Sequence, residues 1–128
     1  MSTLLLATTN PGKLREFREI FAELPFHLTT LDEQGIDMDV EETGATFAEN
    51  ALLKARAYAQ ASGLLTLADD SGLEIDALGG EPGVRSARWP TYDTPYPERF
   101  TLIYERLANV PSEQRAARFR CVIALAHL

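Results

Sequence analysis

The protein has 128 residues, of which 45% are hydrophobic and 24% are charged; this is an ordinary globular composition, which excludes a disordered or collagen-like chain. The formal net charge is −7 and no run of Lys and Arg occurs, so we expect no nucleic-acid partner. No apolar run approaches the roughly 20 residues of a membrane-spanning helix, and the N-terminus lacks a basic flank and a cleavage site, so we expect a cytoplasmic protein that makes no membrane contact.

The chain begins with the pattern of a strand followed by a helix. Residues 3–8 form a continuous apolar run, which predicts a strand buried on both faces. Asn10 is a preferred helix cap and Pro11 a preferred first helical residue, so a helix is predicted from there until Pro25 ends it. A second strand is predicted over residues 26–31.

The segment between the first strand and the first helix is a candidate anion site. The first N–H groups of a helix have no partners within the helix, and the helix dipole favours an anion at that end. Gly12 removes side-chain bulk there and Lys13 adds a positive charge. The spacing is not that of a Walker loop, and an ordinary capped turn is the alternative.

A loop predicted over residues 32–44 lies in the most acidic part of the chain. No Lys or Arg occurs between Arg18 and Lys54. The stretch holds nine carboxylates: Glu19, Glu23, Asp32, Glu33, Asp37, Asp39, Glu41, Glu42 and Glu49. It forms either a solvated acidic face or a site for a hard cation, because carboxylate oxygens are the ligands that Mg²⁺ and Mn²⁺ prefer.

A helix is predicted over residues 46–62, which begin with the capping-box pattern Thr-Phe-Ala-Glu. Asn50 and Lys54 are four residues apart and therefore share one face of this helix. An amide and an ammonium group on one face can bind a phosphate. A surface lysine without a chemical role is the alternative.

Two adjacent carboxylates interrupt the next apolar run. Residues 64–68 and 73–78 predict two strands, and residues 69–72, Asp-Asp-Ser-Gly, are predicted to connect them. Asp69 and Asp70 follow a buried strand, and strand ends are where ligands gather in α/β sheets. Carboxylates there can hold a divalent metal or take a proton from a water molecule, and a tight turn is the alternative.

The remaining pattern predicts a loop over residues 79–94, a helix over 95–109 and a final strand over 115–128. Alternate residues of that strand are apolar and include the single cysteine, Cys121, which is predicted to be a buried structural thiol. The order β-α-β-α-β-β-α-β predicts a mixed α/β domain. Because the chain stops inside an apolar strand, we expect one domain over residues 1–128 that is incomplete at its C-terminus.

Five segments, taken in order, resemble the dITP/XTP pyrophosphatase family, also called the inosine triphosphate pyrophosphatases. They are residues 8–13, 41–44, 46–55, 68–72 and 79–88. The resemblance implies Mg²⁺-dependent hydrolysis of dITP, ITP and XTP to the monophosphate and pyrophosphate, by attack of water on the α-phosphorus, with Mn²⁺ as the alternative metal. It also implies an elongated mixed β-sheet with flanking helices, C-terminally truncated, and a homodimer.

The same resemblance implies roles for individual residues. Asp70 is implied to be the proton acceptor and a metal ligand, and Glu42 the other ligand. Glu41 is the alternative because the register of the two glutamates is open, and Asp69 is implied to support the metal or the water. The residues implied to bind the substrate are Thr8, Thr9, Asn10, Pro11, Gly12, Lys13, Lys54 and Ser71.

Two other hypotheses stay open at this point. The base-contacting motifs of the family follow the point where this chain ends, so we expect little or no activity from these 128 residues. A nucleotide-binding fragment without turnover is therefore one alternative. A Maf-like nucleotide pyrophosphatase is the other, although residues 69–72 and the pair Asn50 and Lys54 favour the first family.

Overall fold

A computed structural model describes residues 1–91 and 93–127. The strands and α-helices in these ranges are β1 (Ser2–Leu6), α1 (Pro11–Ile20), β2 (Phe26–Thr30), α2 (Phe47–Ser62), β3 (Leu65–Ile75), α3 (Tyr96–Arg106) and β4 (Ala117–Ala126). Short 3-10 helices span Asp76–Leu78, Gly83–Arg88 and Ser112–Gln114. The chain divides into two units, one of Met1–Asp70 with the end of the chain from Val122, and one of Ser71–Cys121.

The four strands form one sheet in the order β2-β1-β3-β4. Strand β1 is parallel to both of its neighbours, with Leu4 opposite Leu28 on one side and Leu65 on the other. Strand β4 runs antiparallel to β3, because its successive arginines Arg118 and Arg120 pair with Asp76 and then with Glu74. The mixed sheet with flanking helices that the sequence predicts is therefore confirmed.

Strand β1 is buried on both faces, as its continuous apolar run predicts. Successive side chains of a strand point to opposite faces. Leu6 packs in one cluster with Phe17 of α1, whereas Leu5 packs in another with Ala55 and Tyr58 of α2. Leu5 and Leu6 are both 0% exposed, and burial of each contributes about 1.5–3 kcal/mol. The two helices thus cover opposite faces of the sheet in the first unit.

Strand β3 is continuous from Leu65 to Ile75, so the predicted connection at residues 69–72 between two strands is wrong. Its pairing with β1 ends at Leu67, whose carbonyl accepts a hydrogen bond from the Ala7 amide at 2.8 Å. The strand then continues past the end of β1. The turn-forming residues stay extended as part of β3, which is hydrogen-bonded to β4 on its other side, and the carboxylates of Asp69 and Asp70 lie beside lysines there.

The predicted apolar faces of two helices are only partly buried. Helix α1 ends at Ile20 rather than shortly before Pro25, and Ile20 is 67% exposed. On α3, Phe100 and Tyr104 are exposed although their spacing predicts a buried face, and the buried residue of that helix is Arg99. The predicted loop over residues 79–94 contains the 3-10 helix Gly83–Arg88.

Apolar residues alternate along β4 as the sequence predicts, but the large ones lie on the exposed face. Phe119 is 71% exposed and Cys121 is exposed as well, so the prediction of a buried thiol is wrong. The residues of the other parity, Ala124 and Ala126, pack against the core cluster around Leu5. The end of the predicted strand at residue 128 lies outside the described residues. No described helix is both long and apolar enough to cross a membrane.

Candidate active site

The adjacent carboxylates of β3 point to opposite faces of the sheet. Asp69 has the parity of Leu67, which packs with α1, whereas Asp70 has the parity of Ala68, which packs with α2. Their side chains are only 3% and 7% exposed. A buried carboxylate is stable only beside a compensating group, and each of these two meets a lysine from a different helix.

On the α1 face, Lys13 Nζ lies 2.5 Å from Asp69 Oδ2. Asn10 caps the helix, since its Oδ1 accepts hydrogen bonds from the amides of Gly12 at 2.9 Å and Lys13 at 3.3 Å. Thr8 Oγ1 accepts one from the Asn10 amide at 3.2 Å. The backbone amides of Gly12 and Lys13, which the sequence suggested as anion-binding groups, therefore donate to Asn10 instead. Attraction of a phosphate at this point rests on the Lys13 ammonium and the helix dipole.

On the α2 face, Lys54 Nζ lies 3.1 Å from Glu42 Oε1 and 3.9 Å from Asp70 Oδ1. The side chains of Lys54 and Glu42 are 18% and 24% exposed. Two carboxylates from distant parts of the chain thus converge on one small region occupied by a cationic group. Glu41, the alternative to Glu42, has an exposed side chain.

This pair of carboxylates fits a hard divalent cation. The described residues hold no group of three or more His, Cys, Asp or Glu side chains that could bind a metal by itself. Mg²⁺ does not need one, because it usually takes one or two carboxylates from the protein and completes its shell with water and substrate phosphates. Asp69 points to the other sheet face, so it does not join Glu42 and Asp70.

The other predicted substrate-binding residues flank these two clusters. Thr9 and Pro11 are exposed, and Gly12 is half-buried. A Cβ atom at Gly12 would lie 3.2 Å from Asn10 Oδ1, so this glycine also leaves room for the cap. Ser71 follows Asp70 in β3 and is half-buried.

Tyr58 is a residue near the site that sequence reasoning missed. It lies one turn after Lys54 on α2, is 5% exposed, and donates a hydrogen bond from its hydroxyl to the carbonyl of Met38 at 3.0 Å. Burial raises its pKa above the ordinary value of 10.0, and the negative charges of Asp39 and Glu42 raise it further. The sequence could have shown this, because Tyr58 follows Lys54 by four residues and therefore lies on the same face of α2.

We expect the free energy of unfolding of Tyr58→Phe to fall less steeply with rising alkaline pH than that of the wild type. The folded protein keeps the Tyr58 proton at a pH where the unfolded chain has released it. The stabilisation is therefore complete below about pH 10 and is lost as the pH rises through the raised pKa, by up to about 1.4 kcal/mol per pH unit. Urea unfolding between neutral pH and pH 11 measures the slope. Tyr104→Phe, at a tyrosine that is 68% exposed, should keep the wild-type slope; equal slopes in both variants would contradict the prediction.

Comparison with known proteins shows which family this chain belongs to. A sequence model of the Ham1 family matches residues 4–128. The chain is 47% identical over 123 residues to the dITP/XTP pyrophosphatase of Yersinia pseudotuberculosis, covering 96% of this chain and 62% of the relative. It is 44% identical over 125 residues to the protein of the same name from Bacillus subtilis, covering 98% and 63%.

Solved structures show the same fold. The HAM1 protein from Coxiella burnetii matches with a TM-score of 0.90 and 42% identity, covering 98% of this chain and 63% of that one. The Staphylococcus aureus Ham1 protein matches with a TM-score of 0.87 and 39% identity, covering 99% and 64%. The chain spans about three fifths of the length of the curated relatives it matches. The chain belongs to the Ham1 family.

Proposed function

We propose that the protein hydrolyses the non-standard purine nucleoside triphosphates dITP, XTP and ITP to the monophosphate and pyrophosphate. The observation that carries the proposal is the convergence of Glu42 and Asp70 on Lys54 Nζ, within 4 Å of both carboxylates. Relatives at 47% and 44% identity that are named dITP/XTP pyrophosphatases support the substrate class.

Charge balance explains why such a site needs cations. The substrate is strongly anionic and the chain has a net charge of −7. A bound divalent cation neutralises phosphate charge and stabilises the departing pyrophosphate. Glu42 and Asp70 would hold it, while Lys13 and Lys54 supply fixed positive charge for the phosphates. We propose that Thr8, Thr9, Asn10, Pro11, Gly12 and Ser71 also bind the substrate.

Asp70 is our candidate for the proton acceptor. As a carboxylate, Asp70 can accept a proton from a water molecule that attacks the α-phosphorus. The Asp70 side chain is 7% exposed and is held in the extended strand β3, so its direction is fixed before substrate binds. Fixed geometry of this kind lowers the entropic cost of reaching the reactive arrangement.

The proposal includes Mg²⁺ as the metal, with Mn²⁺ as the alternative, and a homodimer as the assembly. Support for the metal is the all-oxygen donor set of Glu42 and Asp70, which suits either hard cation. Activity titrations with each metal test the first part, and light scattering of the eluted protein tests the second.

We expect these 128 residues, incubated with Mg²⁺ and dITP or XTP, to release the monophosphate and pyrophosphate only slowly, because the base-contacting motifs of the family lie beyond them, and incubation with ATP to release still less. Chromatography of the nucleotides together with a pyrophosphate assay measures both products. Release of inorganic phosphate and a diphosphate would contradict attack at the α-phosphorus. Nucleotide binding without turnover would favour the binding-only hypothesis, and turnover without preference for dITP and XTP would favour a different nucleotide pyrophosphatase.

A further inference from the structure

The loop that carries Glu42 is attached to α2 by a fully buried amide. Asn50 is 0% exposed, and its Oδ1 accepts a hydrogen bond from the Gly44 amide at 2.7 Å. Gly44 follows Glu42 by two residues. The contact therefore fixes the backbone close to Glu42, whose carboxylate shares Lys54 with Asp70.

Two neighbouring contacts hold the same loop from the solvent side. Thr46 Oγ1 accepts a hydrogen bond from the Glu49 amide at 3.1 Å, and Glu49 Oε2 accepts one from the Ala45 amide at 2.7 Å. The first contact is the Thr46 half of the capping box that the sequence predicts, whereas the Glu49 carboxylate binds the amide of Ala45, one residue before the cap, rather than the amide of Thr46. All three of these residues are exposed, so they differ from the buried contact between Asn50 and Gly44.

The approach of the loop to α2 is closer than a side chain at residue 44 allows. A Cβ atom at Gly44 would lie 2.7 Å from Asn50 Oδ1 and 2.7 Å from Glu49 Cβ. One turn further along α2, Lys54 Nζ lies 3.1 Å from Glu42 Oε1. One helix face thus holds the backbone after Glu42 through Asn50 and the Glu42 carboxylate through Lys54.

The second polar atom of the Asn50 amide shows that packing alone does not explain this residue. Asn50 Nδ2 is buried and has no hydrogen-bond partner among the described residues. An unsatisfied buried donor costs about 1–3 kcal/mol, so an apolar residue of similar size would stabilise the helix better. The Asn50 amide thus lowers the stability of the fold, and its contact with the loop that carries Glu42 explains why it is there.

We propose that Asn50 is a positioning residue that sets the affinity of Glu42 and Asp70 for a divalent cation by fixing the loop before Gly44. This inference rests on the proposed function, since it assumes that these two carboxylates hold the metal. Partners that orient metal ligands typically change metal affinity 10–100-fold when they are removed.

Binding of Mn²⁺ to the purified chain, followed by electron paramagnetic resonance, tests the inference without measuring activity. We expect Asn50→Ala and Gly44→Ala each to weaken Mn²⁺ binding about tenfold or more. Because both variants disrupt one contact, the double variant should weaken binding by less than the product of the single effects. Gly44→Ala acts from the loop and leaves the buried face of α2 intact, so it remains informative if Asn50→Ala does not fold.

Glu49→Ala is the matched control, because it removes the adjacent exposed contact of the same loop. We expect its Mn²⁺ affinity to stay within about twofold of wild type although the helix loses part of its cap. Wild-type binding that Glu42→Gln abolishes but Asn50→Ala and Gly44→Ala leave unchanged would overturn this inference alone. A wild-type chain that binds no Mn²⁺ would overturn both the inference and the metal part of the proposed function.

Discussion

Replacement of Arg99 by alanine is expected to lower the free energy of unfolding by about 1.5–3 kcal/mol. Arg99 is 8% exposed, and among the residues that the structure describes its guanidinium donates hydrogen bonds to the backbone carbonyls of four. The acceptors are Thr94 at 2.8 Å, Ser86 at 2.8 Å, Ala87 at 3.1 Å and Thr91 at 3.0 Å. Alanine leaves these carbonyls without their donors, which is the costly way to lose a buried hydrogen bond.

The guanidinium is suited to this role because it presents five N–H donors in a fixed plane, whereas lysine has three on one atom. It also lies 5.2 Å from the centroid of the Tyr96 ring. Urea unfolding followed by circular dichroism measures the change. Arg106→Ala is the matched control on the same helix, because Arg106 is 45% exposed and pairs with Glu81 at 3.0 Å, a contact worth about 1 kcal/mol or less. Equal losses in the two variants would show that the carbonyl contacts do not stabilise the loop.

Arg99 also shows why the sequence predicts where helices begin better than which faces are buried. The spacing of Phe100 and Tyr104 satisfies an amphipathic pattern, yet both are exposed. The carbonyls that bind Arg99 lie 5 to 13 residues earlier in the chain, two of them in the 3-10 helix Gly83–Arg88. Local periodicity contains no information about such carbonyls, whereas the caps formed by Asn10 and Thr46 depend on residues at most three positions away and are predictable.

The candidate site likewise has features that the sequence predicts and others that depend on contacts between distant residues. The sequence singles out Asp69 and Asp70, because charges beside apolar runs are rare, and Lys54, because it shares a helix face with Asn50. It cannot assign the two aspartates to different faces, since that depends on whether the strand continues through them. It also leaves Glu41 and Glu42 undecided, because their register depends on the Asn50 contact with Gly44 and on the reach of Lys54.

We expect Asp70→Asn to lower kcat for dITP hydrolysis by about 10²–10⁴-fold, the range for loss of a positioned proton acceptor. The amide keeps the size of the side chain and its place in β3, but it cannot take a proton from water at neutral pH. It also removes one of the two carboxylates near Lys54. Steady-state kinetics with dITP and Mg²⁺ separate a fall in kcat from a change in KM.

The neighbouring carboxylate provides the matched control. Asp69→Asn makes the same charge change one residue earlier, but on the sheet face where the partner is Lys13 at 2.5 Å. We expect it to raise KM more than it lowers kcat, because Lys13 loses the group that holds its ammonium in place while Asp70 stays intact. If both variants lower kcat equally, the two aspartates act as one unit. The division of their roles by sheet face would then be wrong.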